Sequence, residues 1–398
     1  MRHGRGMNTI SRIADFADDL TELRRDFHAH PEIGFEEVRT SGIVAEKLAG
    51  WGIEVHSGVG RTGVVGVIHG NGRQGASIGL RADMDALPIE EATDVPFKST
   101  KPGTMHACGH DGHTTMLLGA ARYLAETRDF PGRVVCIFQP AEEGLGGARA
   151  MLADRLFERF PCHEVYGLHN TPAGPRYEVS VKAGPAMAAA DFFDIHIKGR
   201  GSHGALPQQS NDPTMVAVAL AQAMQTIVSR NVDPLRSAVV SITQIHAGAA
   251  YNVVPETARL AGTVRCFDPE IRALVRRRIE ELSRGIAAGF GAKVEIDYRD
   301  IFSVTMNGET QTDAVLDVAR EVVGEGLTRI ATEPMMGSED FADMLHQVPG
   351  AYFFLGMTPG ASLHNAAYTF DDAILPVGAS MLARIAERRT AALANAAG

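Results

Sequence analysis

The chain has 398 residues, 45% of them apolar and 22% charged, a balance that suits a globular protein of two ordinary domains and excludes a disordered one. A net charge of -10 argues against a nucleic-acid partner, and no apolar run approaches the roughly 20 residues of a membrane span. The four cysteines, Cys108, Cys136, Cys162 and Cys266, include no CxxC pair, and the basic first residues lead into no apolar stretch; a cytoplasmic protein is expected.

Ile13, Phe16, Ala17, Leu20, Leu23 and Phe27 share one helical stripe and predict a helix over 13–27, closed by the turn at Pro31. A second helix is expected over about 38–51. Strands follow near 53–55, 63–69 and 76–82, the last running into Arg81-Ala-Asp83-Met-Asp85-Ala-Leu-Pro. Met105-His-Ala-Cys-Gly-His-Asp-Gly-His then packs three histidines, a cysteine and an aspartate into nine positions, ahead of a helix expected over 114–126. The run 133–138 is a continuous apolar strand of the kind buried on both faces, and it leads into Gln139-Pro-Ala-Glu142-Glu143-Gly. A strand at 164–168 ends at His169-Asn170. In open α/β sheets, sites form where strands end.

Near Gly184-Pro185 the pattern changes. Strands at 191–198, 238–245, 258–267 and 293–298 alternate with helices at 213–230 and 269–288 in the order βαββαβ, the split ferredoxin-like unit. Ligand-type residues resume afterwards at Gly337-Ser-Glu-Asp-Phe and Leu363-His364-Asn, around a buried strand at 351–356. The fold expected is therefore α/β with two domains: a catalytic domain in two parts, 7–186 and 300–398, and an inserted domain over 187–299. The Ala-rich tail is expected to fray.

Imidazole, thiolate and carboxylate are the side chains that bind borderline-soft divalent metals. Candidate ligands are Cys108, His110, Glu143, His169 and His364, most of them just past a strand or in a loop. Cys108 and His110 point apart on a helix but can converge on a strand end or a tight turn, and Gly109 permits the turn. Five ligands exceed the need of one catalytic zinc and suit two adjacent ions. Glu142 and Glu143, adjacent on an extended segment, point to opposite sides, so one can bind metal while the other takes a proton from metal-bound water. Asp83 and Asp85 read equally as holders of a ligand imidazole or as turn caps before Pro88. His203 reads as an oxyanion donor or as a surface loop histidine. Asn252 lies in Tyr-Asn-Val-Val-Pro, and Arg265 suits carboxylate recognition or a plain surface ion pair. A metal-binding sensor or a non-catalytic interaction protein would have no need of Glu142 beside a metal glutamate, and a cysteine nucleophile at Cys108 predicts inhibition by alkylation but indifference to chelators.

Together with Phe27-His-Ala-His-Pro-Glu, Gly201-Ser-His-Gly-Ala and Gly262-Thr-Val-Arg, these stretches run through nearly the whole chain in one order. In that order the sequence resembles the M20 metallopeptidases, and within them the aminoacylase-like branch of hippurate hydrolases and IAA-amino acid hydrolases. The resemblance implies a zinc-peptidase-like, mostly parallel sheet and an inserted lid and dimerisation domain. It implies two divalent metal ions per subunit on Cys108, His110, Glu143, His169 and His364, zinc first, with manganese, cobalt or nickel as alternatives. It implies catalytic roles for Glu142, Asp85 and His203, the last reaching the partner subunit of a homodimer or dimer-based tetramer. Asn252 and Arg265 would bind the substrate's carboxylate. The activity implied is hydrolysis of the amide bond of N-acyl-amino acids; the alternatives are a dipeptidase or carboxypeptidase, an N-carbamoylase or an N-acetyl-diaminopimelate deacetylase.

Overall fold

The computed structural model describes residues 7–71 and 75–396. The basic residues 1–6, read above for a targeting signal, lie outside the described residues. The chain divides into two compact units, and the second interrupts the first. The first takes the chain through Ala186, Thr305–Pro334 and everything from Asp340 onward; the second is Met187–Val304 with Met335–Glu339.

The first unit is built on an eight-stranded mixed sheet. Its strands lie in the order Glu54–Val59, Gly63–His69, Arg133–Gln139, Ser77–Asp83, Glu164–Thr171, Gly350–Gly356, Val179–Val181 and Thr328–Ile330. Four of the seven pairings are parallel. The central strands are apolar on both faces, and Val134, Val135, Cys136, Ile137 and Phe138 are all fully buried. Val179–Val181 and Thr328–Ile330, three residues each, are too short to have shown a pattern in the sequence.

The helix His110–Thr127 is buried through most of its length and packs in one core with the helix Leu375–Ala396. It begins four residues earlier than its apolar spacing suggested, because its first turn is polar yet buried. The N-terminal helix is broken at Phe16 into Ser11–Asp15 and Ala17–Ala29. The Ala-rich stretch expected to fray is helical through Ala396, and residues 397–398 lie outside the described residues.

Three neighbouring parallel strands decide where chemistry can gather. Asp83 stands opposite Gln139 in register, and Arg81 opposite Gly167. Asp83, Gln139 and the His169-Asn170 pair therefore share one edge of the sheet, at the carboxyl ends of the strands.

The second unit is a four-stranded antiparallel sheet with two helices, Pro213–Asn231 and Pro269–Gly289. Strand order is Ala238–Ala247, Thr257–Cys266, Ala189–Lys198, Lys293–Phe302, the ferredoxin-like arrangement. Phe193, Ile195 and Ile197 face inward at every second position, against Val216, Leu220, Met224, Val275 and Ile279 on the helices. Each helix starts with an aspartate cap and proline: the Thr214 amide donates to Asp212, and the Glu270 amide to Asp268. No helix among the described residues is long and apolar enough to cross a membrane.

Candidate metal centre

Three strained backbone positions shape the edge of the large sheet. Gly109 has φ +96° and precedes the first residue of the helix His110–Thr127. A Cβ there would lie 2.2 Å from Asn170 Oδ1, so only glycine fits the turn between Cys108 and His110. Ala141, with φ +53°, turns the chain after the strand Arg133–Gln139 and aims Glu142 and Glu143. His364 has φ +61° and is held by its amide, which donates to the Ala107 carbonyl at 2.8 Å. Non-glycine residues hold such angles where surrounding structure imposes them, commonly at sites.

These turns bring the donors into overlapping groups. Cys108, His110 and His169 have ligand atoms within 4.8 Å of one another; so do Cys108, Glu143 and His364, and likewise His110, Glu142 and Glu143. Cys108 Sγ lies 3.3 Å from His169 Nε2, and Glu143 Oε1 lies 3.1 Å from His364 Nε2 and 3.9 Å from His110 Nε2. Cys108, His110, Glu142 and His169 are buried, while His364 is exposed.

The ring nitrogens are sorted by their outer neighbours. His110 Nδ1 faces Asp85 Oδ1 at 3.2 Å, which places its proton there. His169 Nδ1 donates to the Asn170 carbonyl at 2.6 Å. Both rings therefore turn Nε2 toward Cys108 and Glu143. His110 Nε2 is buried and makes no hydrogen bond, and the only close side-chain partner of buried Glu143 Oε1 among the described residues is His364 Nε2. Such orphaned atoms cost free energy unless something outside the chain satisfies them.

The charge balance points the same way. Burial opposes a charge on His110, but Asp83 and Cys108 outweigh it and push its pKa well above the usual imidazole range. Contact with Cys108 and Glu143 raises His364 to about 10. Burial, then Glu143, raises the Cys108 thiol. Burial and the neighbouring His113 hold His169 well below its usual value, so it stays neutral. A pocket that draws protons onto His110 and His364 and resists a thiolate favours added positive charge. Soft and borderline donors with an orphaned ring nitrogen fit divalent cations.

Residues that spacing did not single out complete the surroundings. His113 is clamped between Asp83 Oδ1 at 2.6 Å and Asn170 Oδ1 at 2.7 Å, and packs edge-on against His169. Asp83 pairs with Arg81 at 2.7 Å; burial opposes its ionisation, but His110, His113 and Arg81 hold it well below the usual carboxylate range. Behind the centre, buried His28 lies 2.8 Å from Asp111 and 3.4 Å from Glu91, with Arg24 also on Asp111. His106 is buried with neither ring nitrogen bonded, and burial pushes it down to about 4.

His203, Asn252 and Arg265 belong to the second unit. His203 is exposed and pairs with Val253 across a short ladder; its Nδ1 accepts from the Ala205 amide at 3.0 Å, which leaves its proton on Nε2. The Asn252 carbonyl accepts from the Gly204 amide at 2.7 Å, so Asn252 adjoins the His203 loop. Arg265 is partly buried over the Phe192 ring, donates to the Val264 carbonyl at 3.0 Å, and makes no ion pair among the described residues.

The profile of Peptidase family M20/M25/M40 matches residues 79–388, a span that includes every donor named above. The chain belongs to that family, and it is a hydrolase of amide bonds. It is 44% identical over 380 residues to the hippurate hydrolase of Campylobacter jejuni, covering 96% of this chain and 99% of the relative. Thermostable carboxypeptidase 2 of Saccharolobus solfataricus is 38% identical over 382 residues, covering 94% of this chain and 95% of the relative. Among solved structures, Bacillus subtilis YXEP protein, described as a dinuclear metal binding peptidase of the M20 family, superposes with a TM-score of 0.81 at 36% identity, covering 95% of this chain and 99% of that one.

Proposed function

We propose that this M20-family hydrolase cleaves the amide bond of N-acyl-amino acids, using two divalent cations held by Cys108, His110, Glu143, His169 and His364. The observation that carries the reading is the placement of Glu142 and Glu143 side by side at a strained turn, both within reach of His110. Zinc is the ion assigned first, since sulfur and imidazole donors suit it; manganese, cobalt and nickel remain the alternatives. When bound, such cations lower the pKa of water and polarise a carbonyl. Glu142 takes the proton of the attacking water and returns it to the leaving nitrogen. Asp85 and the Asn170 carbonyl hold His110 and His169 in the tautomer that offers Nε2.

From the second unit, we assign His203 to donate its Nε2 proton to the oxyanion, in the partner subunit's site of a homodimer. Asn252 and Arg265 are assigned to the substrate carboxylate; that Asp191, the acid which acts on Arg265, is already engaged by Arg272 supports this. A hippurate hydrolase and a carboxypeptidase both cleave an amide whose nitrogen belongs to an amino acid with a free carboxylate, and the common substrate class follows from that. All four cysteines are free, which supports a cytoplasmic setting.

The deciding experiment is release of free amino acid from a panel of N-acyl-amino acids, N-benzoylglycine among them, with and without chelator and metal add-back. Chelator-sensitive release is expected. Metal-loaded protein that releases no amino acid from any of them overturns the reading.

A further inference from the structure

Just after the motif that begins at Phe27 stands another pair of adjacent glutamates, Glu36 and Glu37, which the reaction above does not use. Glu37 is fully buried. Its Oε1 accepts from the Ala141 amide at 2.8 Å, and its Oε2 accepts from Thr62 Oγ1 at 2.5 Å. The bond to Ala141 spans 104 residues of sequence and ends on the strained residue that precedes Glu142. A buried amide at Ala141 left without an acceptor would cost free energy, so the bond to Glu37 favours its left-handed φ.

The rest of the same segment fits the same purpose. A Cβ on Gly34 would meet Ala141 Cα at 2.8 Å, so the segment lies in direct contact with the turn. Ile33 bridges to Ala86, and the Ala86 amide donates to the Glu32 carbonyl at 2.8 Å. Glu143 in turn donates its amide to Asp85 at 3.0 Å. Residues 32–37 thus join two loops that carry site carboxylates.

We propose that Glu37 is a positioning residue for Glu142 and Glu143: its carboxylate locks the Ala141 amide and so sets where the two side chains point. The proposal rests on the roles assigned to Glu142 and Glu143 above. Glu37 touches neither substrate nor donor atoms; it acts through the backbone.

The test uses the full chain carrying Glu37→Ala, Glu37→Asp or Glu37→Gln, with circular dichroism confirming the fold. Zinc retention is read without substrate, by competition with a chelating dye; kcat and KM are read with N-benzoylglycine. Aspartate falls short of Ala141, whereas glutamine keeps an acceptor for it and a partner for Thr62. The Ala and Asp variants are expected to lose zinc affinity by about 10-fold or more, and to lose kcat by about 10- to 100-fold at nearly unchanged KM. Glu37→Gln should stay within about threefold of wild type on both readouts. If Glu37→Ala does not fold, Glu37→Asp decides. A folded Ala or Asp variant with wild-type zinc affinity and kcat overturns the proposal, as does a Gln variant as impaired as Ala. If the wild type cleaves no N-acyl-amino acid, the functional reading fails, while the zinc contrast among the variants still decides the role of Glu37.

Discussion

Glu143 and Asp85 are tied together: the Glu143 amide donates to Asp85 Oδ2 at 3.0 Å, while Asp85 Oδ1 faces His110 Nδ1 at 3.2 Å. One carboxylate thus fixes both a ring and a turn. Asp85→Ala should weaken metal binding by about 10- to 100-fold, the range found when a partner that orients a metal-binding imidazole is removed. Chelator competition on the folded variant measures it, and unchanged affinity would show that Asp85 only caps its own loop.

Glu142 is buried beside Glu143. Replacing it with Gln keeps its volume and removes its basicity. The expected result is intact metal content with kcat down by at least about 100-fold. Metal analysis and turnover on the same preparation check it; near-normal turnover would remove Glu142 from the proton transfer.

Gly109→Ala combines a left-handed φ of +96° with a Cβ 2.2 Å from Asn170 Oδ1. The conformational penalty and the overpacking together should cost about 2–4 kcal/mol. Thermal unfolding is expected at a clearly lower Tm, with metal retention lost before global unfolding. A variant with wild-type Tm would show that the loop relaxes at no cost.

His28 makes stability depend on pH. Burial opposes its charge, but Asp111 and Glu91 outweigh burial and raise its pKa from 6.5 to about 9. A raised folded-state pKa contributes stability that is complete below about 6.5 and is lost as pH rises through about 9. Tm measured across pH 6 to 10 should therefore fall over that window, and His28→Gln should be less stable at pH 6 and flatter above it. Equal slopes in the two proteins would mean that His28 does not carry the dependence.

For His203, mixed dimers are the measurement. Combining inactive His203→Ala and inactive Glu142→Gln chains should restore part of the activity if one subunit completes the other's site. Verified mixed dimers with none would confine His203 to its own subunit or to the surface.

Much of the architecture was legible from periodicity. The run 134–138 is apolar without a break, and the βαββαβ order of the second unit stands in alternating strands and aspartate-capped, proline-started helices. The donors of the candidate site were legible as residue types placed after strands. What joins them was not. The left-handed φ of Ala141 has no signature in an alanine, since it is favoured by a bond to Glu37 from 104 residues away. The clamp of His113 between Asp83 and Asn170 depends on which strands are neighbours, and spacing along the chain says nothing of that. The helix His110–Thr127 looked shorter because its first turn is buried through hydrogen bonds and not through apolar surface.

The first unit resumes only after the second has been traversed, and this has a consequence during synthesis. The strand Gly350–Gly356 must find Glu164–Thr171, and His364 must find Ala107, after the whole inserted unit has left the ribosome. Until then the nascent chain exposes one flank of the strand that carries His169, together with a donor cluster short of His364. The inserted unit, nearly continuous in sequence, can finish first. The chemistry is therefore assembled only after the inserted unit, the strand Gly350–Gly356 and His364 have all been made.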